Sequence, residues 1–173
     1  MQQAADLAER LAGEPVAAVY ASRATRAQQT AEAVATAQDL ETQVIDGVQE
    51  IAAGDMEGRN DRPSIDAYLD VFGKWARGEL AVRMPGGETG EQVRRRFRDA
   101  VTEIGAKHRQ ADPDMIAVLV CHGALMRAGS EWLADNVRPE VADKELLPNT
   151  AVIEMASTAD DGWHCVSWSG LVM

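Results

Sequence analysis

Six consecutive apolar residues, Ile116-Ala117-Val118-Leu119-Val120-Cys121, end at His122-Gly123. A strand with one face in water alternates apolar and polar side chains, and this run does not alternate. It reads as a strand buried on both faces, the habit of parallel sheets that carry helices on either side. Val16-Ala17-Ala18-Val19-Tyr20 has the same character. Two such strands require helices to cover them, and the rest of the sequence provides helical patterns in the right places.

Leu7 and Leu11, with several alanines, give residues 2–12 a helical spacing that Gly13 ends. Ala24 to Ala37 is alanine-rich and helical by propensity. Val44-Ile45 is a weaker strand, followed by an acidic, glycine-containing loop from Gln49 to Asn60. Ser64 to Arg77 reads as a helix with Ile65, Tyr68, Leu69, Phe72 and Trp75 on one face. That stripe fits core packing, a lid or the wall of a ligand site. After the turn Pro85-Gly86-Gly87, Thr89 and Gln92 form a capping box for a helix whose core stripe is Val93, Phe97, Val101 and Ile104. Gly123 to Leu133 reads as the helix behind the strongest strand. Ala151 to Met155 and Trp163 to Trp168 read as two closing strands joined by the turn Asp160-Asp161-Gly162.

Strands and helices alternating across short joints imply an α/β fold, a three-layer α/β/α arrangement around a mostly parallel sheet. The expected organisation is a single domain over residues 1–173. Ligands in such sheets bind beyond the carboxyl ends of the strands, where helix N-termini point. Ser22 to Arg26 and His122-Gly123 are the two stretches in that position. An arginine in a first helical turn, as Arg26 is, opposes the helix macrodipole, and such local conflicts are expected at functional sites.

Charge narrows the partners. The chain carries 28 Asp and Glu against 17 Lys and Arg, a formal net charge of −11. Nucleic-acid phosphates need a broad basic face, so nucleic acid is not an expected partner, and any anionic ligand must be held by local positive charge. Arg94-Arg95-Arg96 with Arg98 lies mid-helix and reads as a solvated face. No apolar run approaches the ~18 residues of a membrane span. The opening Met1-Gln2-Gln3-Ala4-Ala5-Asp6 lacks the basic segment and apolar core of a signal peptide, so the expected location is the cytoplasm. Cys121 and Cys165 make no CxxC pair or ligand cluster and read as buried reduced thiols.

Four motifs then fall in order along the chain. Tyr20-Ala21-Ser22-Arg23-Ala24-Thr25-Arg26, continuing to Thr30-Ala31-Glu32, resembles the second signature of the histidine phosphatase superfamily, the phosphoglycerate mutase-like proteins. Gln49-Glu50-Ile51, followed by Gly54-Asp55-Met56-Glu57-Gly58, resembles that family's next motif. Pro85-Gly86-Gly87-Glu88-Thr89 resembles its Gly-Gly-Glu segment, and Val118 to Gly123 its second catalytic His-Gly.

The resemblance implies a phosphoglycerate mutase-like fold and a phosphomonoester hydrolase working through a phosphohistidine. The substrate it implies is a small phosphorylated metabolite; no metal or other cofactor is implied, and a homodimer is left open. Arg26 matches the arginine that clamps the phosphoryl oxygens, and a planar guanidinium suits that task. His122 matches the second histidine and, with Gly123, would bind phosphate. Glu50 matches the acid that protonates the leaving alcohol, for which burial beside apolar neighbours such as Ile51 is the expected setting. A phosphoglycerate mutase-type phosphotransferase is a further alternative. The stretch from Gly58 to Met84 is short for it, and Met56 stands where the family usually has Trp.

One motif is missing. The family's first strand ends in Arg-His-Gly, whose histidine is the nucleophile, and no Arg-His-Gly occurs here. Residues 1–11 match the helix that follows that strand, and neither His108 nor His164 has a comparable context. The expectation is a chain lacking the first, central strand, and therefore inactive by itself. Met1 would then stand at an internal position of a mis-called gene. The rival expectation is a non-catalytic protein that binds phosphorylated ligands through Arg26 and His122.

Overall fold

Alanine and leucine at helical spacing make the first element, α1 (Gln2–Leu11), which buries Ala4, Leu7 and Ala8. The computed structural model describes residues 2–109, 114–138, 147–158 and 162–173. After α1 come β1 (Val16–Ala21), α2 (Thr25–Ala37) and the short β2 (Thr42–Val44). A single 3-10 turn at Gly54–Met56 interrupts the acidic loop. Next are α3 (Arg62–Ala76), α4 (Gly90–Arg109), β3 (Ile116–Val120) and α5 (Gly123–Leu133). Three strands close the chain, β4 (Ile153–Ser157), β5 (Trp163–Trp168) and β6 (Leu171–Val172). Helix α3 starts earlier than its apolar pattern because Asp61 caps it, accepting a hydrogen bond from the Ser64 N–H at 3.2 Å. The Thr89–Gln92 capping box forms as expected, each side chain bonding the other's backbone N–H.

The strands make two sheets. One is parallel throughout, in the order β2-β1-β3, with Ala18 to Ala21 of β1 in register with Ala117 to Val120 of β3. Between Val16 and Ala18 the register shifts by one residue, a bulge at Ala17. The other sheet is antiparallel, in the order β4-β5-β6. The parallel character expected of the whole is thus carried by the first sheet, while the closing strands pair among themselves. Asp160 and Asp161 of the expected turn lie outside the described residues; Gly162 closes onto Thr158 through two hydrogen bonds.

Two cores lie on opposite faces of the parallel sheet, giving the three layers. Leu7, Val19, Ala31 and Val34 form one, with Val118 and Val120 packed against it. Val71, Trp75, Met84, Val93, Phe97 and Leu125 form the other, with Leu119 and Cys121 against it. Alternate residues of β3 therefore serve opposite cores, which explains why its sequence has no polar member. Even so β3 is only half-buried, and Ile116 is 37% exposed. Helices cover its faces, and the exposure comes from its position at the sheet's edge. On α3 the expected stripe is rotated. Val71 and Trp75 enter the core and Tyr68, Phe72 and Trp75 stack in a row, but Ile65 and Leu69 remain in solvent.

Gly129 lets α5 lie directly on α4, since a Cβ there would come within 2.3 Å of the Phe97 ring. Gly129→Ala is expected to lose about 1–3 kcal/mol in urea unfolding through overpacking. Gly13→Ala, where a Cβ meets nothing within 4 Å, serves as the control and should change little.

Candidate active site

Parallel pairing sets two chain segments side by side at the carboxyl ends of β1 and β3. The Ser22 N–H donates to the Val120 carbonyl at 3.1 Å, so the ladder runs to the very edge of the site. One residue past β1 and two past β3, Ser22 Oγ and His122 Nε2 are 2.7 Å apart, and both residues are buried. Arg26, in the first turn of α2, reaches across so that its guanidinium is 2.9 Å from His122 Nδ1.

The arginine decides the tautomer. A guanidinium has donors and no acceptor, so Nδ1 must accept, and the ring proton sits on Nε2, where it is donated to Ser22 Oγ. His122 is thereby held neutral. Its pKa lies below the usual histidine value because burial disfavours the charged ring; Glu50 pulls upward, and Arg26 and Arg96 push down. Ser22 Oγ also accepts from the Ala24 N–H at 3.3 Å, fixing the hydroxyl at the mouth of α2.

Glu50 comes from the loop after β2 and meets the same place from the other side. Its Oε1 accepts from the Ile51 N–H at 2.9 Å and the Leu125 N–H at 3.0 Å, and its Oε2 from the Ala124 N–H at 3.4 Å. The setting differs from the apolar one expected beside Ile51. The Ile51 side chain turns into the core, and the Glu50 carboxyl sits on the N-terminus of α5, accepting from its free N–H groups. Gly123 is the first residue of that helix; a Cβ there would meet nothing within 4 Å, so space lies beside it.

The arginine run also needs correcting. Arg96 is not solvated: its side chain is 14% exposed and packs against Glu88, itself 21% exposed, at 2.8 Å. It also donates to the carbonyls of Gly47, Gln49 and Glu50, gripping the loop that carries the acid. Glu88 completes the grip by accepting from the Ala52 N–H. Burial pushes the Glu88 carboxyl up, but the Arg96 guanidinium and the Ala52 N–H outweigh it and hold the group below its usual range. The signal for Arg96 was its spacing, three residues after Val93 and four before Ala100, on the buried face of α4. The second and third motifs are therefore one physical unit. Gly54 is obligatory within it, since a Cβ would come within 2.2 Å of the Pro85 carbonyl.

Other groups fall into place around this centre. Burial pushes the Tyr68 hydroxyl up to about 12, with Glu50 adding to the effect, so the phenol stays neutral near the acid. Arg127 lies over the Phe72 ring, 5.4 Å from its centroid. Burial first pushes the Cys121 thiol up to about 12, so it stays protonated. His108 bonds the Tyr20 hydroxyl at 3.0 Å, and His164 neighbours Asn136 and Asp135; neither is bonded to Arg26 or His122. No helix among the described residues is long and apolar enough to cross a membrane.

The fold agrees with what known proteins show. The histidine phosphatase superfamily (branch 1) matches residues 1–170, and the chain belongs to that family. Among solved structures, a mycobacterial glucosyl-3-phosphoglycerate phosphatase superposes with a TM-score of 0.79 at 26% identity, covering 99% of this chain and 86% of that one. A PE-PGRS family protein of Mycobacterium tuberculosis is 30% identical over 98% of this chain but only 31% of its own length. Phosphoserine phosphatase 1 of Hydrogenobacter thermophilus is 29% identical over 73% of this chain and 58% of its own. The chain thus spans less than two-thirds of these two curated relatives. Family and neighbours are those of phosphatases.

Two measurements check the site's physics. Because the folded His122 has the lower pKa, the unfolded chain takes up the proton more readily; the stability it contributes is complete above the usual value of about 6.5 and is lost as pH falls. The melting temperature should therefore drop as pH falls from about 7.5 to about 5.5, and His122→Gln should flatten that slope. Arg96→Ala strands Glu88 and three carbonyls and is expected to cost about 3–5 kcal/mol in urea unfolding. The double variant with Glu88→Gln should cost less than the two single changes added.

Proposed function

We infer that this chain carries the phosphate-holding and proton-donating half of a phosphomonoester hydrolase that works through a phosphohistidine. The observation that carries the reading is the convergence of Arg26, His122 and Glu50 from three different segments onto one helix N-terminus. A phosphoryl dianion there would meet the Arg26 guanidinium, the N–H groups at Gly123 and a histidine able to take up a proton as the anion arrives. Phosphoryl transfer asks mainly for such positioning and charge, together with a proton source.

Glu50 suits the proton's path. Its Oε1 is occupied by two N–H donors, while Oε2 has one long contact, so Oε2 is the oxygen that carries the proton. In the first step a nucleophilic nitrogen bonds to phosphorus, the ester P–O bond breaks, and that proton passes to the leaving alcohol. In the second, Oε2 takes a proton from water, the water oxygen bonds to phosphorus, and the N–P bond breaks to release phosphate. His122 is not that nucleophile, because Arg26 engages one ring nitrogen and Ser22 the other. The net charge of −11 argues for a small phosphorylated metabolite over a polyanion. The half-buried Tyr68 and the Phe72–Arg127 pair stand on the leaving-group side.

The chain alone is expected to bind orthovanadate without hydrolysing p-nitrophenyl phosphate. Calorimetric titration should show that Arg26→Ala lowers vanadate affinity at least tenfold, and that Arg26→Lys recovers only part of it. Hydrolysis at enzymatic rates that disappears in Arg26→Ala would show the nucleophile to be within these residues and overturn the assignment.

A further inference from the structure

Helix α3 carries more apolar surface than the core accepts. At about 100° of rotation per residue, Val71 and Trp75 share the line that enters the core, and Tyr68, Phe72, Ile65 and Leu69 follow round one flank in that order. Burial falls in the same order. Tyr68 and Phe72 are half-buried, Ile65 is 43% exposed and Leu69 is 57% exposed. The flank lies against the start of α5, because Arg127, two residues past the Leu125 N–H that holds Glu50, covers the Phe72 ring. Glu50 and Glu57 both act on the Tyr68 hydroxyl. Met56, from the 3-10 turn, packs half-buried against the same core. The cations around the flank each have an acid beside them: Asp66 pairs with Arg62, Asp70 pairs with Lys74, and Glu131 attracts Arg127 from one turn further along α5.

We propose that this flank receives the alcohol half of the substrate, and that the alcohol is apolar, an alkyl or aryl group without a carboxylate. The inference rests on the phosphomonoester reading given above and names the substrate class of that site. Glu50 passes its proton to the ester oxygen, so the first carbon of the alcohol lies beside Glu50. Tyr68 is the α3 side chain on which Glu50 acts, and from Tyr68 an apolar skeleton runs along Phe72 to Ile65 and Leu69. Single apolar side chains in water are ordinary, but this pair continues a half-buried aromatic row, and such contiguous patches mark binding surfaces. A carboxylate in that place would face Glu50 and Glu57, while Arg62, Lys74 and Arg127 are already engaged with acids. Met56 adds a soft, polarizable neighbour that adapts to a ring or a chain.

The test titrates the whole chain by calorimetry with three phosphonates, whose P–C bond is not a leaving group: methylphosphonate, hexylphosphonate and 2-carboxyethylphosphonate. Hexylphosphonate is expected to bind about tenfold or more tighter than methylphosphonate, since each methylene laid on the flank leaves water. The carboxyethyl compound should bind no tighter than methylphosphonate. In the double variant Ile65→Gln with Leu69→Gln, both positions being in solvent and outside the core, the hexyl advantage should shrink to about threefold or less. Val44→Gln, at a 47% exposed position on β2, should keep the advantage whole. No hexyl advantage, an advantage untouched by the double variant, or tightest binding by the carboxyethyl compound would overturn the apolar alcohol and leave the phosphomonoester reading standing. Failure of both methylphosphonate and orthovanadate to bind would sink that reading and this inference together. A dimer that the double variant breaks, seen by sedimentation, would give the flank to a second copy of the chain and overturn the inference.

Discussion

The ion pair of Arg96 with Glu88 is the contact on which the site's geometry rests. It lies under the surface and ties a helix, a turn and a loop that are far apart in sequence. A buried ion pair often adds little net stability, because desolvating both charges offsets their attraction. Its value here is positional. Arg96 directs its remaining donors to the carbonyls of Gly47, Gln49 and Glu50, and Glu88 Oε2 accepts from both Arg96 and the Ala52 N–H. Glu50 sits within that grip, so the acid points at the N-terminus of α5 while the loop around it is irregular.

A second economy concerns charge. The molecule is strongly anionic, yet its candidate site carries a cation, Arg26. Arg26 supplies a permanent cation, and His122 stays neutral while its Nδ1 faces the guanidinium. Two permanent cations in contact would repel at rest. A neutral imidazole avoids this, and its Nδ1 accepts from the guanidinium instead. Ser22 sets up the arrangement by accepting the hydrogen bond from Nε2–H, and it does so from a fully buried position.

Much of this was legible in the sequence. The uninterrupted runs at 16–20 and 116–121 announced covered parallel strands, and the helices, caps and end-of-strand motifs followed with boundaries within a few residues. Arg26, Glu50 and His122 were each found by motif, and the structure places them together. Arg96 was misread because a run of arginines averages to a polar face, while the buried stripe through Val93, Phe97 and Ala100 passes beside it. The orientation of α3 was missed for a related reason. Val71 and Trp75, four residues apart, decide which way that helix turns, and the larger stripe through Ile65 and Leu69 masked them. The separation of the closing strands into their own sheet has no local signal, because pairing between distant strands is settled by tertiary packing.

The bulge at Ala17 has a bearing on how such a chain can vary. Below it Val16 is paired with Ile116, and above it the register runs on without a break from Ala18 to the Ser22–Val120 bond. Removing the extra residue would regularise the ladder at its start and leave the upper pairs where they are. Length changes in the segment joining α1 to β1 can therefore be absorbed at Ala17, before they reach Ser22. A one-residue shift of the amino-terminal helix thus leaves the hydroxyl that orients His122 where it is.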